Sequence, residues 1–441
     1  MARLFGTDGV RGAAGDFLTA ELALALGRAA AETAWAEAEV APQILIVRDT
    51  RESGEMLESA LASGVAAAGG QALLGGVLPT PGAALLTRRY GFDLAAVVSA
   101  SHNPYADNGI KFFGPDGTKI SDAREERIEA LVAGDEQPGA EAIGRIRALH
   151  GAGGDYLREL ELRFGELDLK GRRVLLDCAN GATYEVGPEI FRRLGADVEA
   201  IAVEPDGRNI NDGVGSTHVG SLAERVTAGG FDVGFAFDGD GDRVLAVDRE
   251  GAVVDGDELV ALAALHLRAA GRLPGGGVAV TVMTNYGFHT AMTEAGIDVA
   301  VTPVGDRHVL AELLRRGWSL GGEQSGHIID TGFVPSGDGI AAALLTLEAL
   351  GDGDLAERRG MRKLPQRLVN VRVRDRGALE GAAAVWEAVE TESGGLEGRG
   401  RVLVRSSGTE PLVRVMVEAP DEDECEAVTA RLVAVVERDL T

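Results

Sequence analysis

Ser101 lies where a short apolar run gives way to polar residues, and its hydroxyl could act as a nucleophile. The run at 94–98 predicts a buried strand, and the Asn-Pro pair that follows predicts a loop. Ligands of open α/β sheets bind at the carboxyl ends of strands, so Ser101 is a candidate catalytic residue. His102 is its neighbour, but adjacent side chains seldom face the same atom, so adjacency alone predicts no Ser-His pair. The alternative interpretation is that Ser-His-Asn-Pro is an ordinary turn.

Three aspartates at alternate positions predict a metal site. They are Asp238, Asp240 and Asp242. The glycines between them let the backbone curl, so the carboxylates can converge on one hard cation. An EF-hand is excluded because Arg243 and Arg249 occupy the positions where that loop has a glycine and a bidentate glutamate. A polar hairpin turn is the alternative. However, three carboxylates would repel one another without a cation, and Mg²⁺ suits a site with few protein ligands.

A glycine-flanked loop at 321–327 offers groups that suit sugar hydroxyls. The side chains concerned are Glu323, Ser325 and His327, which supply hydrogen-bond acceptors and donors. An ordinary surface loop is the alternative interpretation of this segment.

A second loop, at 405–411, has the composition of a phosphate cradle. Small hydroxyl residues around a glycine expose successive backbone N–H groups, and arginines add bidentate donors. The residues are Arg405, Ser407, Gly408 and Thr409, with Arg414 on the strand predicted to follow. No lysine follows the glycine in the register of a Walker loop, so that class is excluded. Ser-Ser-Gly-Thr is also a common loop composition.

The elements that position these loops follow one plan three times. Apolar runs at 44–47, 174–176 and 278–282 each predict a strand, followed by a polar loop, a helix that stops at glycine and a second strand. Such alternation predicts three similar α/β domains with mainly parallel, mixed sheets. Beyond Pro365 the pattern changes to strands at 368–373, 401–404 and 413–417 with a helix at about 379–392, which predicts a small α+β domain.

Polar and glycine-rich stretches place the predicted domain boundaries. We expect an α/β domain with the serine loop at 1–150, one with the aspartate loop at 151–252, one with the glutamate loop at 253–365 and the α+β domain at 366–441.

Composition excludes several classes of partner. The 441 residues include 69 acidic and 43 basic side chains, a net charge of −26, so nucleic acid and anionic membranes are poor partners. Two cysteines, Cys178 and Cys425, match no zinc spacing and no disulfide framework, which indicates a reducing compartment. Arg3 and Asp8 interrupt any apolar signal core near the N-terminus, so a cytoplasmic location is expected.

Taken together, the motifs resemble those of the α-D-phosphohexomutases. The resemblance covers the whole chain in order, with FGTDGVRG at 5–12, SASHNP at 99–104, DGDGDR at 238–243, GGEQSGH at 321–327 and RSSGTEPLVRVM at 405–416. It implies that the domains surround a central cleft.

The resemblance also implies a role for residues of each motif. Ser101 corresponds to the family's phosphoserine, whose phosphorylation is required for activity. One Mg²⁺ per active site would be bound by Ser101, Asp238, Asp240 and Asp242. Arg11, Lys111 and His102 would lie near the transferring phosphoryl group, with Lys111 or His102 moving the proton. The implied substrate-binding residues are Arg243, Glu323, Ser325, His327, Arg405, Ser407, Gly408, Thr409 and Arg414. Relatives carry a histidine within the segment that here spans 305–308, so the roles of Asp306 and Arg307 stay open.

The implied reaction interconverts glucosamine 6-phosphate and glucosamine 1-phosphate through a bisphosphorylated sugar. Three alternatives remain at this point: a mutase of mannose or glucose phosphates, a serine-dependent phosphatase and a non-catalytic cation-binding protein. The partner is a hexosamine phosphate, and a homodimer is compatible with the sequence.

Overall fold

The computed structural model describes residues 3–6, 8–36, 40–134, 143–407 and 410–441. The chain forms two compact units. The first comprises Met1–Val282 and Ala300–Arg358, and the second comprises Met283–Val299 and Arg359–Thr441.

A six-stranded mixed sheet begins the first unit. Its strands are β1 Val10–Ala13, β2 Gln43–Arg48, β3 Gln71–Val77, β4 Leu94–Val98, β5 Asp107–Phe113 and β6 Arg145–Ala148, in the order β1-β5-β4-β2-β3-β6. The helices are α1 Ala20–Trp35, α2 Gly54–Ala67, α3 Thr80–Tyr90 and α4 Asp122–Ala133. Strands β2, β3, β4 and β6 are parallel, whereas β5 pairs antiparallel with β4 and β1. Every residue of β4 is buried, as expected for a central strand covered on both faces.

A five-stranded sheet carries the aspartate loop. Its strands are β7 Arg173–Asp177, β8 Asp197–Ile201, β9 Val233–Phe237, β10 Val244–Asp248 and β11 Val253–Val254, in the order β11-β10-β9-β7-β8. The helices are α5 Ala152–Phe164, α6 Val186–Arg193 and α7 Gly220–Gly229. Strand β7 is parallel to β8 and β9, whereas β9 and β10 pair antiparallel. The turn of the β9–β10 hairpin therefore contains all three aspartates.

A four-stranded sheet carries the glutamate loop. Its strands are β12 Gly277–Thr281, β13 Asp298–Thr302, β14 Leu320–Gly322 and β15 Ile328–Asp330, in the order β13-β12-β14-β15. The helices are α8 Gly256–Ala269, α10 Asp306–Arg316 and α11 Gly339–Leu350, and α9 Tyr286–Glu294 belongs to the second unit. Strand β14 is parallel to β12 and antiparallel to β15. The loop at 323–327 therefore connects the two strands of the β14–β15 hairpin.

An antiparallel sheet forms most of the second unit. The strands are β16 Gln366–Arg372, β17 Arg401–Ser406 and β18 Leu412–Glu418, in the order β16-β18-β17, with helices α12 Ala383–Gly395 and α13 Glu422–Leu440. Valines of β18 and apolar residues of α13 share one core. Helix α12 begins later than the predicted 379, because Asp375 caps a short 3₁₀ turn at Arg376–Gly381.

The predicted fold class is confirmed: three mixed α/β sheets precede an α+β arrangement. The boundaries near 150, 252 and 365 stay predictions. Among the helices of the described residues, none is long and apolar enough to cross a bilayer.

A buried carboxyl joins two helices of the first unit and gives a test of the fold by pH. Tyr156 of α5 donates to both oxygens of Asp338, at 2.9 and 2.8 Å, and Asp338 also caps α11. Burial raises the pKa of Asp338 to about 6, although the hydrogen bonds from backbone N–H groups and Tyr156 oppose this shift.

Stability should therefore fall as pH rises from about 4 to 6. Over that range the folded state holds the Asp338 proton while the unfolded chain releases it, so ionisation penalises folding by up to about 3 kcal/mol, and the effect is complete above the folded pKa. Urea unfolding of wild type and Asp338→Asn checks this, since asparagine does not titrate and keeps one oxygen that can accept from Tyr156 and the Ala341 N–H. A difference between the two proteins that stays constant across this range would contradict the assignment.

Candidate active site

Ser101 follows β4 in a strained and buried conformation. Its φ is 51°, in the left-handed region, and the residue is 2% exposed. The Ser101 N–H donates to Ser99 Oγ at 3.0 Å, while the Ser101 hydroxyl donates to Asp238 Oδ2 at 2.6 Å. The structure thus brings the predicted nucleophile to the predicted metal loop, which lies 137 residues later in the chain.

A buried arginine fixes the backbone of the serine loop. The Arg51 guanidinium donates to the carbonyl oxygens of Ser101, Asn103 and Asp107 at 2.9, 2.8 and 3.0 Å, and also to that of Pro104. Asp49 balances its charge at 2.8 Å, and both side chains are fully buried. Because the planar guanidinium donates to several carbonyl oxygens, the loop has little conformational freedom. These hydrogen bonds hold the Ser101 backbone in its left-handed conformation.

His102 contacts the same hydroxyl. Its Nδ1 lies 3.2 Å from Ser101 Oγ. Sequence adjacency did not predict this contact, which forms where the backbone at Ser101 is left-handed. Burial lowers the pKa of His102, and the positive charges of Arg243 and Arg11 lower it further. The ring is therefore neutral near pH 7 and can accept a proton.

The three aspartates predicted to bind a cation lie together in a group that could hold a metal ion. Their carboxylate oxygens lie within 4.8 Å of one another, and all three residues are buried. Burial raises the pKa of Asp238 well above its usual value, and the charges of Asp242 and Asp240 add to the shift. Asp240 Oδ1 and Asp242 Oδ1 are buried without a hydrogen-bond partner among the described residues. Crowded carboxylates with unused oxygens fit a divalent cation.

A glycine lets this hairpin turn approach the serine loop. A Cβ on Gly239 would lie 2.5 Å from the Ser101 carbonyl oxygen, closer than any side chain allows. Asn211 Nδ2 donates to that same oxygen at 2.9 Å. The spacing of glycines between the aspartates therefore serves contact between the loops as well as curvature.

Two of the predicted basic residues share one carboxylate. Lys111 Nζ lies 2.9 Å from Asp240 Oδ2 and 3.0 Å from Asp8 Oδ2, and Arg11 Nη2 lies 2.6 Å from the same Asp8 oxygen. Burial opposes the charge on Lys111, but Asp240 and Asp8 raise its pKa above the ordinary value. Lys111 therefore stays positively charged and is better suited to neutralise charge than to accept a proton.

Arg243 contacts the carboxylates of the aspartate loop and lies next to the strand residue that contacts the glutamate loop. Its backbone N–H donates to Asp238 Oδ1 at 3.2 Å, and its Nε lies 3.8 Å from Asp242 Oδ1. Burial opposes its charge, but Asp242, Asp238 and then Glu323 raise its pKa. Val244 N–H also donates to Gly326 O at 3.1 Å, so the two loops are in direct contact.

The glutamate loop presents one exposed and two more enclosed side chains. Ser325 is exposed, and Glu323 Oε1 accepts from Gly305 N–H at 2.9 Å. His327 is buried, with Nδ1 3.6 Å from Asp242 Oδ2 and Nε2 accepting from Gly337 N–H at 3.1 Å. His327 therefore lies against the metal loop, while its predicted contact with a sugar stays a prediction.

The predicted phosphate loop lies in the second unit. Arg405 on β17 and Arg414 on β18 are directly opposite cross-strand neighbours. Burial lowers the pKa of Arg405, and the charge of Arg414 lowers it further. Like charges in this position repel, so the pair suits an anionic ligand. Ser407 is buried and its Oγ accepts from Glu410 N–H at 3.3 Å, whereas Gly408 and Thr409 lie outside the described residues.

The sequence analysis did not predict site roles for Arg51 or Asn211. It considered Asp8 only as a charge that argues against a signal peptide. For Arg51 a signal existed: it follows the strand at 44–47, and polar residues after parallel neighbouring strands meet at one sheet edge. Asn211 lies in an irregular loop whose course depends on packing.

Comparison with protein-family models shows matches along most of the chain. The models described as phosphoglucomutase/phosphomannomutase alpha/beta/alpha domains I, II and III match residues 2–138, 155–251 and 255–367, and the model of the C-terminal domain matches 368–435.

Curated relatives are similar over almost their whole length. The phosphoglucosamine mutase of Desulforudis audaxviator is 50% identical over 445 residues, covering 99% of this chain and 98% of that protein. The phosphoglucosamine mutase of Rubrobacter xylanophilus is 51% identical over 445 residues, covering 99% and 97%.

Solved structures share the fold at low identity. A phosphoglucomutase/phosphomannomutase family protein from Burkholderia thailandensis superposes with a TM-score of 0.83 at 22% identity, covering 99% of this chain and 97% of that one. Aspergillus fumigatus N-acetylphosphoglucosamine mutase, in complex with GlcNAc-6P and magnesium, gives 0.66 at 18% identity, covering 99% and 96%.

The carboxylate cluster predicts stabilisation by a divalent ion. Mn²⁺ at about 100 times its dissociation constant should stabilise the wild-type protein by about 2.7 kcal/mol, because it relieves the repulsion only in the folded state. Thermal unfolding with Mn²⁺ and with chelator measures this. Asp242→Asn should lose most of the shift, whereas Asp352→Asn, an exposed loop aspartate, should keep it. Equal shifts of the unfolding temperature in all three proteins would show that the stabilising ion does not bind to Asp242.

Proposed function

The chain belongs to the phosphoglucomutase/phosphomannomutase family, and we propose that it interconverts glucosamine 6-phosphate and glucosamine 1-phosphate. It is a phosphohexomutase, an isomerase that moves a phosphoryl group between two positions of one sugar. The observation that carries the chemistry is the 2.6 Å contact between the Ser101 hydroxyl and Asp238 within the carboxylate cluster. The choice of glucosamine rests on the phosphoglucosamine mutases that are about 50% identical to this chain.

Asp238, Asp240 and Asp242 would hold one Mg²⁺ together with an oxygen of phosphorylated Ser101. The unpartnered oxygens of Asp240 and Asp242 support this choice of ligands. Mg²⁺ bound here would neutralise charge on the phosphoryl group as it transfers.

In the first half-reaction the phosphoryl group of Ser101 passes to a free hydroxyl of the sugar. The O–P bond of the serine breaks, a new O–P bond forms to the sugar, and the proton of the sugar hydroxyl ends on Ser101 Oγ. Neutral His102, 3.2 Å from that oxygen, is placed to carry the proton. Lys111 and Arg11 stabilise the negative charge. The bisphosphorylated sugar then returns its other phosphoryl group to Ser101 by the reverse steps.

Substrate binding is assigned to two sets of residues. Glu323, Ser325 and His327 would contact the sugar, and Arg243 would bind near the reacting phosphate. The non-reacting phosphate would bind to Arg405, Ser407, Gly408, Thr409 and Arg414, and the opposed arginine pair supports this assignment. A cytoplasmic location, a homodimer and the absence of nucleic-acid or membrane partners remain proposals from the sequence.

Phosphorus NMR of the purified enzyme tests the proposed function. With glucosamine 1-phosphate, Mg²⁺ and a trace of hexose bisphosphate, the 6-phosphate should accumulate with almost no inorganic phosphate. Ser101→Ala should lower the rate by at least about 10⁴-fold, because it removes the hydroxyl proposed to carry the phosphoryl group. Ser63→Ala is the matched control, since Ser63 is an exposed residue of α2 whose hydroxyl donates to the Ser59 carbonyl.

Other outcomes identify the alternatives. Faster turnover of mannose or glucose phosphates would assign the other mutase activities. Release of inorganic phosphate in step with substrate loss would indicate a phosphatase. Cation binding without turnover of any hexose phosphate would indicate a non-catalytic protein.

A further inference from the structure

The Asp8 carboxylate forms ion pairs with three basic side chains, two through Oδ2 and one through Oδ1. Oδ2 contacts Arg11 at 2.6 Å and Lys111 at 3.0 Å, whereas Oδ1 contacts Lys119 at 2.5 Å. Burial opposes ionisation, but Lys111, Lys119 and Arg11 hold the pKa of Asp8 below its usual value. The orientation of this carboxylate therefore sets the positions of two cations assigned to the phosphoryl group.

Lys119 is held from its other side by Asp306. Its Nζ lies 2.6 Å from Asp306 Oδ2, and the side chain is 15% exposed. The backbone of Lys119 is itself anchored, because it bridges to Phe113 at the end of β5. Burial opposes the charge on Lys119, but Asp8 and Asp306 raise its pKa. The ammonium is thus a fixed bridge between two carboxylates that are distant in sequence.

Asp306 has an anchorage that does not depend on Lys119. Its Oδ1 accepts from Arg307 N–H at 2.8 Å, and the Arg307 side chain pairs with Asp122 and, at 2.5 Å, with Glu125 of α4. The start of α10 is therefore fastened to α4. Gly305, whose N–H holds Glu323, belongs to this fastened segment.

We propose that Lys119, braced by Asp306, is a positioning residue for the phosphoryl-transfer step. By fixing Asp8 Oδ1, it turns Asp8 Oδ2 toward Arg11 and Lys111 and keeps those cations in place. This inference rests on the proposed function, since it assigns Lys119 to the same reaction. The ion pairs of Lys119 are with Asp8 and Asp306, and Asp306 in turn lies 3.7 Å from Nε2 of His327.

Loss of the Lys119 ammonium should affect turnover and not substrate binding. In Lys119→Met, Asp8 Oδ1 loses its partner and the carboxylate can rotate, so kcat should fall by about 10- to 100-fold. Glu323 remains held through Gly305, because Arg307 still fastens that segment, so KM should stay within about threefold of wild type.

The experiment measures kcat and KM for Lys119→Met, Asp306→Asn and the double variant. Each is assayed with whichever hexose phosphate the wild type turns over fastest, so a wrong choice of sugar under the proposed function does not confuse the result. Asp306→Asn should cost about five- to tenfold in kcat, and the kcat of the double variant should match that of Lys119→Met, because the effect of Asp306 on turnover passes through Lys119. Asp306 Oδ2 also lies 3.7 Å from Nε2 of His327, an assigned sugar contact, so KM is compared only between wild type and Lys119→Met. Lys170→Met, an exposed lysine 3.6 Å from Asp168, should match wild type.

A purely structural role gives a different pattern. In that case circular dichroism and thermal unfolding would show loss of stability while kcat per folded molecule stays within about threefold of wild type, and the proposal would be wrong. A rise in KM with unchanged kcat would also overturn it. If Lys119→Met does not fold, Asp306→Asn decides, and wild-type kcat in that variant refutes the inference.

Discussion

Repulsion among three buried carboxylates is the constraint on which the rest of the site depends. Two carboxylates at 4.8 Å repel by about 3 kcal/mol at an effective dielectric constant near 20, and three such pairs are present within one hairpin turn. Neighbouring side chains contact these carboxylates: Lys111 forms an ion pair with Asp240, and His327 lies beside Asp242. Burial raises the pKa of Asp238, and the charges of Asp242 and Asp240 raise it further, so full ionisation of the cluster is unfavourable. The three carboxylates therefore form a group that could bind a divalent cation.

Contacts to the backbone of the serine loop, rather than contacts of the serine side chain, hold Ser101 beside the carboxylates. Arg51 gathers the carbonyls of the serine loop, Asn211 shares the Ser101 carbonyl, and Gly239 allows the hairpin to come close. These contacts join segments that are 50 and 110 residues from Ser101. A hydroxyl held in this way would need little reorganisation in the proposed phosphoryl transfer, a reaction that depends mainly on positioning.

Sequence alone predicted the fold class and the chemistry-bearing loops, because both depend on local information. Apolar runs and glycine stops are typical of strands and helix ends, and the aspartate spacing is itself a metal-binding pattern. The supporting contacts could not be predicted in this way. Lys119 meets Asp306 across 187 residues, and His102 faces Ser101 Oγ only because of a left-handed backbone that no propensity favours for serine. The phosphate loop stays a prediction from composition, and the strand register shows that its two arginines are directly opposite each other.

Anomalous diffraction from crystals soaked with Mn²⁺ tests the central claim most directly. The account predicts one strong peak at about 2 Å from a carboxylate oxygen of each of Asp238, Asp240 and Asp242, and from an oxygen on Ser101 or on its phosphoryl group. A peak bound by other residues, or no peak at these aspartates with the crystals saturated in Mn²⁺, would contradict it.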